Sequence, residues 1–119
     1  MAGTLGEIKA AAHLVSLGYR IFWPLDSHDK FDLVAFKDNQ FLKVQVKSSS
    51  FRTKASKSWI VTLDNVTHKS GGGVERRTIS NDNCDLLAVY IIPEDRVVIL
   101  ETGFEGKTRI SIKPQESDG

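Results

Sequence analysis

Residues 31–47 read FDLVAFKDNQFLKVQVK, and the pairing within this stretch decides the fold. Two strand-like runs, FDLVAF (31–36) and FLKVQVK (41–47), flank KDNQ, where Asp38-Asn39 is a turn signal. A β-hairpin is predicted. Whether the loop is Asp38-Asn39 or runs from Lys37 to Gln40, Lys37 pairs with Gln40 and Phe36 with Phe41. Val34 then faces Lys43, and Asp32 faces Gln45. Strand alternation puts Phe31, Leu33, Ala35, Leu42, Val44 and Val46 on one apolar face that wants a core. The other face carries Val34, Phe36 and Phe41 near the turn, with Asp32, Lys43, Gln45 and Lys47 toward the open end. Asp32 and Gln45 become cross-strand neighbours, and Lys47 lies on the diagonal within reach of a long side chain. A register slip of one residue would scatter this group.

Working outward, TLGEIKAAAHLVSL (4–17) reads as an amphipathic helix with Leu5, Ile8, Ala12 and Val15 at helical spacing. Ala10 to Ala12 would let it lie close to a sheet, and Gly18 is a helix stop. YRIFW (19–23) is extended and closed by Pro24, and LDSHDK (25–30) is a polar loop. Beyond the hairpin, SSSFRTKASKS (48–58) reads as a polar, basic loop and WIVTL (59–63) as a third strand of the sheet. Gly71-Gly72-Gly73 argues against a helix between 64 and 81, and a mobile loop is expected there. LLAVYII (86–92) is a continuous apolar run of the kind found in a central buried strand. Pro93-Glu94-Asp95 turns the chain, RVVIL (96–100) returns, and TRISI (108–112) adds an edge. The expectation is an α/β (α+β) fold: one mixed central sheet, an N-terminal helix packed on it, one domain over 1–113, and a flexible tail at 114–119.

Composition bounds the function without choosing it. The chain of 119 residues is 40% hydrophobic and 26% charged, with a net charge of +1, so attraction to nucleic acid must come from local clusters. Glu7, Lys9 and His13 interrupt the first apolar run before it reaches the length of a signal peptide or membrane span. A cytoplasmic protein with no membrane partner is expected. The single Cys84 excludes an internal disulfide and a cysteine-based zinc site. His13, His28 and His68 show no ligand spacing, and Trp23 and Trp59 read as core residues.

An acid, an amide oxygen and an ammonium on one sheet face suit a hard divalent cation such as Mg²⁺, which takes oxygen ligands and keeps several waters. The same residues also read as an Asp–Lys salt bridge on a solvated face, with Gln45 a bystander. Glu7 is similarly double: Thr4-Leu5-Gly6-Glu7 is a capping box, which would tie its carboxylate to the Thr4 backbone.

Glu7 in a first helix, Asp32 at a strand start and Gln45-Val46-Lys47 in the next strand together resemble the PD-(D/E)XK nuclease superfamily. The stretches LGEIKAAAHLVSLGYRIFWP, FDLVAF and VQVKSS are similar to the branch of homing endonucleases from bacterial group I introns. Archaeal Holliday-junction resolvases look like more distant relatives. The resemblance implies a restriction-endonuclease-like core and a Mg²⁺-dependent DNA endonuclease, with Mn²⁺ a possible substitute. It casts Glu7, Asp32, Gln45 and Lys47 as catalytic, with Asp32, Gln45, Glu7 and Val46 as the metal shell. It also implies site-specific cleavage by a homodimer or higher homo-oligomer. Two departures stand out: Gln45 replaces the usual Glu or Asp, removing a negative charge, and Phe31 replaces the proline of the PD pair. Alternatives are a structure-specific junction or repair nuclease, and a non-catalytic DNA-binding module with a degenerate site.

Double-stranded DNA needs cations at phosphate spacing. From Lys43 to Lys57 the chain offers Lys43, Lys47, Arg52, Lys54 and Lys57 without an acid, interleaved with Phe51, Ser48 and Ser49. A second cluster comprises His68, Lys69, Arg76 and Arg77. Each is expected to contact the backbone, although charge runs are also ordinary solvated surface.

Overall fold

The hairpin forms in the register expected. In the computed structural model, which describes residues 2–25, 31–55, 57–63, 65–68, 74–77 and 84–115, Lys37 pairs with Gln40, Phe36 with Phe41 and Val34 with Lys43. Asp38 and Asn39 both take positive φ, 52° and 67°, as a tight two-residue turn matched to strand twist requires.

In chain order, helix α1 (Ala2–Ser16) precedes β1 (Arg20–Phe22), β2 (Leu33–Lys37), β3 (Gln40–Ser49), β4 (Phe51–Arg52) and β5 (Trp59–Thr62). Then come β6 (Asn65–His68), β7 (Val74–Arg77), β8 (Leu86–Ile91), β9 (Arg96–Leu100) and β10 (Arg109–Ile112). The central sheet has five strands in the order β1-β2-β3-β8-β9. Only β3 and β8 run parallel, so the sheet is mixed.

Three expectations change. WIVTL and TRISI do not join the central sheet; β5 pairs with β10 and β4 in a separate three-stranded sheet. The stretch 48–58 is not all loop, since β3 runs to Ser49 and β4 follows at once. Within 64–81, Asn65–His68 and Val74–Arg77 pair as an antiparallel ribbon where a loop was expected. Glycines disfavour helix but not the connection of two strands. Residues 26–30, 69–73 and the tail beyond 115 lie outside the described residues.

The helix buries a different face from the one its bulky residues suggest. Gly6, Ala10 and Leu14 are buried, whereas Leu5, Ile8 and Val15 are 43%, 55% and 56% exposed. Both stripes have helical period, so periodicity cannot choose between them. Close approach to the sheet chooses the small residues. An added Cβ on Gly6 would stand 2.5 Å from the Ser48 hydroxyl oxygen and 3.6 Å from a Val46 methyl. The helix ends as Gly18 suggests. Gly18 sits at φ 97°, and the Gly18 and Tyr19 amides bond back to the Val15 and Leu14 carbonyls, a Schellman closure. Lys37 at the hairpin tip donates to the Leu17 carbonyl at 2.8 Å, where a cation favours the helix C-terminus.

Two cores result. Between α1 and the central sheet lie Ala10, Leu14, Leu33, Ala35, Val44, Leu86 and Ala88. Between the sheets lie Leu87, Val89 and Ile91 of β8 with Trp59, Val61, Leu63, Cys84, Phe104 and Ile112. β8 is thus buried on both faces, as its unbroken apolar run implied. Trp59 is core, but Trp23, expected to be, is 51% exposed just past the end of β1.

Candidate active site

β3 is gripped on both flanks by an aspartate at the point where a neighbouring strand begins. On one side the Asp32 amide donates to the Val44 carbonyl at 2.9 Å, and Asp32 Oδ2 accepts the Val46 amide at 2.7 Å. The carboxylate takes over the ladder bond that β2 would otherwise supply. On the other side the Asp85 amide donates to the Lys43 carbonyl, and Asp85 Oδ2 accepts the Lys43 amide, both at 2.8 Å. Asp85 escaped the sequence reading; an acid directly before a buried strand was its only signal.

A carboxylate has acceptor positions beyond one hydrogen bond, so Asp32 retains capacity for a second partner. Glu7 reaches it. The two carboxyl groups are close enough to share a hydrogen bond, and the Glu7 carboxyl is pushed above its ordinary range. Burial is the larger cause, followed by the charge of Asp32 and the shared hydrogen bond. The capping-box reading fails because α1 begins at Ala2, which puts Thr4 inside the helix rather than at its boundary. Glu7 is held in place by the tight seat of Gly6 and by Lys9, two residues on, whose ammonium lies 3.0 Å from Asp95 Oδ1. The Tyr90 hydroxyl donates to the same oxygen at 2.7 Å, tying helix and strand to the β8–β9 turn.

Gly6→Ala is therefore expected to lift the first turn of α1 and draw Glu7 from Asp32, lowering the activity of this site more than stability. Adding Ser48→Ala, which removes the opposing oxygen, should restore activity. Equal activity in Gly6→Ala and wild type would show that the close seat does not position Glu7.

The paired register ends at Leu33–Val44, where the Asp32 amide, one residue before β2, also donates to the Val44 carbonyl; Lys43, Gln45 and Lys47 share one face of β3, the face that at β8 carries Leu87 and Val89. Gln45 and Lys47 are half-buried. Val46 points to the helix-side core, so only its main-chain carbonyl could serve a cation. Cys84 lies beside this group, its thiol donating to the Leu86 carbonyl at 3.0 Å. Burial chiefly pushes the thiol up to about 11, and the charges of Asp85 and Asp32 add to this, so it is not a nucleophile at neutral pH.

Among the described residues no group of three His, Cys, Asp or Glu converges on a point. Two carboxyls within hydrogen-bond reach of each other, with the Gln45 amide and Val46 carbonyl on the neighbouring strand, fit a cation that keeps much of its water, as Mg²⁺ does. They do not fit a closed structural zinc site.

The proposed DNA contacts are scattered more widely. Ser48 faces α1 at Gly6, opposite to Lys47. Ser49 is 5% exposed and its hydroxyl donates to the Ile60 carbonyl, so it is engaged inside the protein. Arg52 lies over the Trp59 ring at 4.6 Å and donates Nε to the Lys57 carbonyl at 3.1 Å. Lys54 and Lys57 are exposed in the turn between β4 and β5. Arg76 and Arg77 are consecutive in β7, paired with Val66 and Asn65, and Lys69 lies outside the described residues.

The family model of the PD-(D/E)XK endonucleases matches residues 1–118. The chain belongs to the PD-(D/E)XK endonuclease family. Protein 5.3 of Escherichia phage T7 is 29% identical over 113 residues, covering 94% of this chain and 88% of its own length. In fold, this PD-(D/E)XK chain is similar to the bacterial homing endonuclease I-Ssp6803I, with TM-score 0.77 at 18% identity over 99% of this chain and 80% of that one. Its mixed sheet with an N-terminal helix is therefore the restriction-endonuclease-like core expected from the sequence. No helix among the described residues is long and apolar enough to cross a membrane.

Proposed function

We propose that this PD-(D/E)XK chain is a Mg²⁺-dependent, site-specific DNA endonuclease of homing-endonuclease type. The observation that carries the reading is the contact between the Glu7 and Asp32 carboxyls beside Gln45 and Lys47. Two acids brought together at partial burial repel unless a proton or a cation lies between them. Asp32, Glu7, the Gln45 amide oxygen and the Val46 carbonyl are the groups that would hold the cation. Bound Mg²⁺ supplies Lewis-acid polarisation of a phosphate oxygen and eases the deprotonation of water.

The chain's own side chains divide the remaining work. The Lys47 ammonium orients the attacking water and offsets charge gathering on the phosphorus oxygens. Water adds to phosphorus, the P–O bond to the leaving sugar oxygen breaks, and that oxygen takes up a proton. Cutting both strands of a nearly symmetric site suits a homodimer or larger homo-oligomer.

End-sequencing of a mixed DNA library after incubation with protein and Mg²⁺ tests this directly. Ends enriched at one sequence, lost in Lys47→Ala and without metal, are expected. The second reading, a binding module without turnover, is favoured by Gln45, where most of the family has an acid. Under it, wild type and Lys47→Ala leave the same featureless ends, and Gln45→Glu creates metal-dependent cutting. If Gln45→Glu instead leaves a cutting wild type unchanged or slower, the amide is the working ligand.

A further inference from the structure

The central sheet is covered unevenly. On the face away from α1, Leu87, Val89 and Ile91 of β8 and Val98 and Leu100 of β9 pack against the second sheet. Among the described residues none from β1 or β2 joins that core.

The register states what the other half of this face presents. Arg20 pairs with Phe36 and Phe22 with Val34; Phe36 pairs with Phe41 and Val34 with Lys43. Residues directly paired share a face, so Arg20, Phe22, Phe36, Phe41 and Lys43 form one strip. The Phe36 and Phe41 ring centroids are 4.4 Å apart, and those of Phe22 and Phe41 6.1 Å. Phe41 is nevertheless 66% exposed and Phe22 45%. An exposed aromatic cluster bordered by cations marks a contact surface more than ordinary solvated sheet. The strip runs into Asp32, Gln45 and Lys47. Among the described residues no acid stands on this face of the three strands themselves, and Asp32 lies one residue before β2.

We propose that this open half-face is a DNA-wedging surface: Phe41, backed by Phe22 and Phe36, presses against the bases, while Arg20 and Lys43 hold flanking phosphates. The proposal rests on the reading of the adjacent carboxyl site as a DNA endonuclease. Charge favours a polyanion over a second copy of the chain. Arg20 and Lys43 stand at opposite corners of the aromatic strip, and the strip is continuous with the carboxyl site where the phosphodiester would lie. Apolar side chains pressed into a base step unstack and bend the duplex, and an aromatic ring finds a partner in any base. Phe36 lies four residues along the strand from Asp32, on the order of 13 Å at about 3.3 Å per residue. That is roughly the rise of four base pairs at about 3.4 Å each, so the wedge acts close to the bond to be cut.

The test uses the full chain and Phe41→Ala, Phe22→Ala and Phe41→Trp, each at an exposed position where folding is not at stake. Binding to a fluorescent 30-base-pair duplex of mixed sequence is read by anisotropy in Ca²⁺, and cleavage of the mixed library in Mg²⁺. Each alanine variant is expected to lose roughly tenfold in affinity, the scale of one lost aromatic–base contact, and Phe41→Trp to retain it. Alanine variants that bind as wild type overturn the wedge, whether or not the protein cuts. Wild type that binds with this dependence on Phe41 but never cuts leaves the wedge standing and removes the endonuclease reading. If the alanine variants instead lower the solution mass by light scattering with binding per protomer unchanged, the strip is a self-association surface and the DNA assignment is wrong. Wild type with no affinity for duplex overturns it outright.

Discussion

Asp32→Asn is expected to abolish metal-dependent cleavage while leaving the fold intact. Asparagine keeps an oxygen that can accept the Val46 amide, the bond that continues the β3 ladder at 2.7 Å in the native chain. What it loses is the negative charge. Metal stabilisation of a phosphoryl transfer is worth several kcal/mol, so the rate should fall roughly a thousandfold or more. Asp32→Ala should cut no better and should also unfold at lower temperature, because it strands a half-buried backbone N–H at a cost of about 1–3 kcal/mol. The pair of variants separates the two duties of one side chain. Cleavage by Asp32→Asn at the native rate, with Mg²⁺ saturating, would remove Asp32 from the metal shell.

Glu7→Gln should move stability and activity in opposite directions. The folded state raises the Glu7 carboxyl above its ordinary value, so the folded chain holds that proton more tightly than the unfolded chain. Below the ordinary carboxylate range both states are protonated and there is no penalty. As pH rises through the ordinary value and then through the raised one, the folded state loses stability, and the full loss is present at neutral pH. Glutamine does not titrate. In metal-free buffer Glu7→Gln should therefore melt above wild type near neutral pH and with it near pH 4. Mg²⁺ should close the gap by stabilising wild type more, and cleavage should drop by about ten- to a hundredfold, the range for altered metal-site partners. A variant that is less stable than wild type by the same margin at every pH would mean that Glu7 is merely a packing residue.

The parts of this site that could be read from sequence are those set by local geometry. A two-residue turn and strict alternation suffice for the pairing from Lys37–Gln40 to Leu33–Val44, and with it for the face that Lys43, Gln45 and Lys47 share. Glu7 could not be assigned in that way, since the same carboxylate satisfied a capping pattern, and only the true start of α1 at Ala2 removes that option. Bulk is a poor guide to the buried face of α1, because the sheet admits Gly6, Ala10 and Leu14 while Leu5, Ile8 and Val15 stay exposed. Allocation of β5 and β10 to a second sheet depends on non-local pairing that hydrophobic pattern does not encode. Cation clusters were the least informative: Ser49 and Arg52 sit in one basic stretch, yet one is sealed under Ile60 and the other is laid over Trp59.

The parallel pairing of β3 with β8 also has a kinetic side. The β2–β3 hairpin closes around two residues, an event on the order of microseconds. Lys43 and Asp85, which lock β3 to β8, are 42 residues apart, and such non-local pairing is intrinsically slow. Asp32, Gln45 and Lys47 are thus brought together by the first thing the chain can build. Glu7 reaches Asp32 only when α1 settles on the hairpin, so the crowding of carboxylates follows closure of the hairpin. Interactions made after the folding barrier govern how fast the finished molecule comes apart rather than how fast it forms. A divalent cation between Glu7 and Asp32 would act there, as a latch on unfolding rather than a guide to folding.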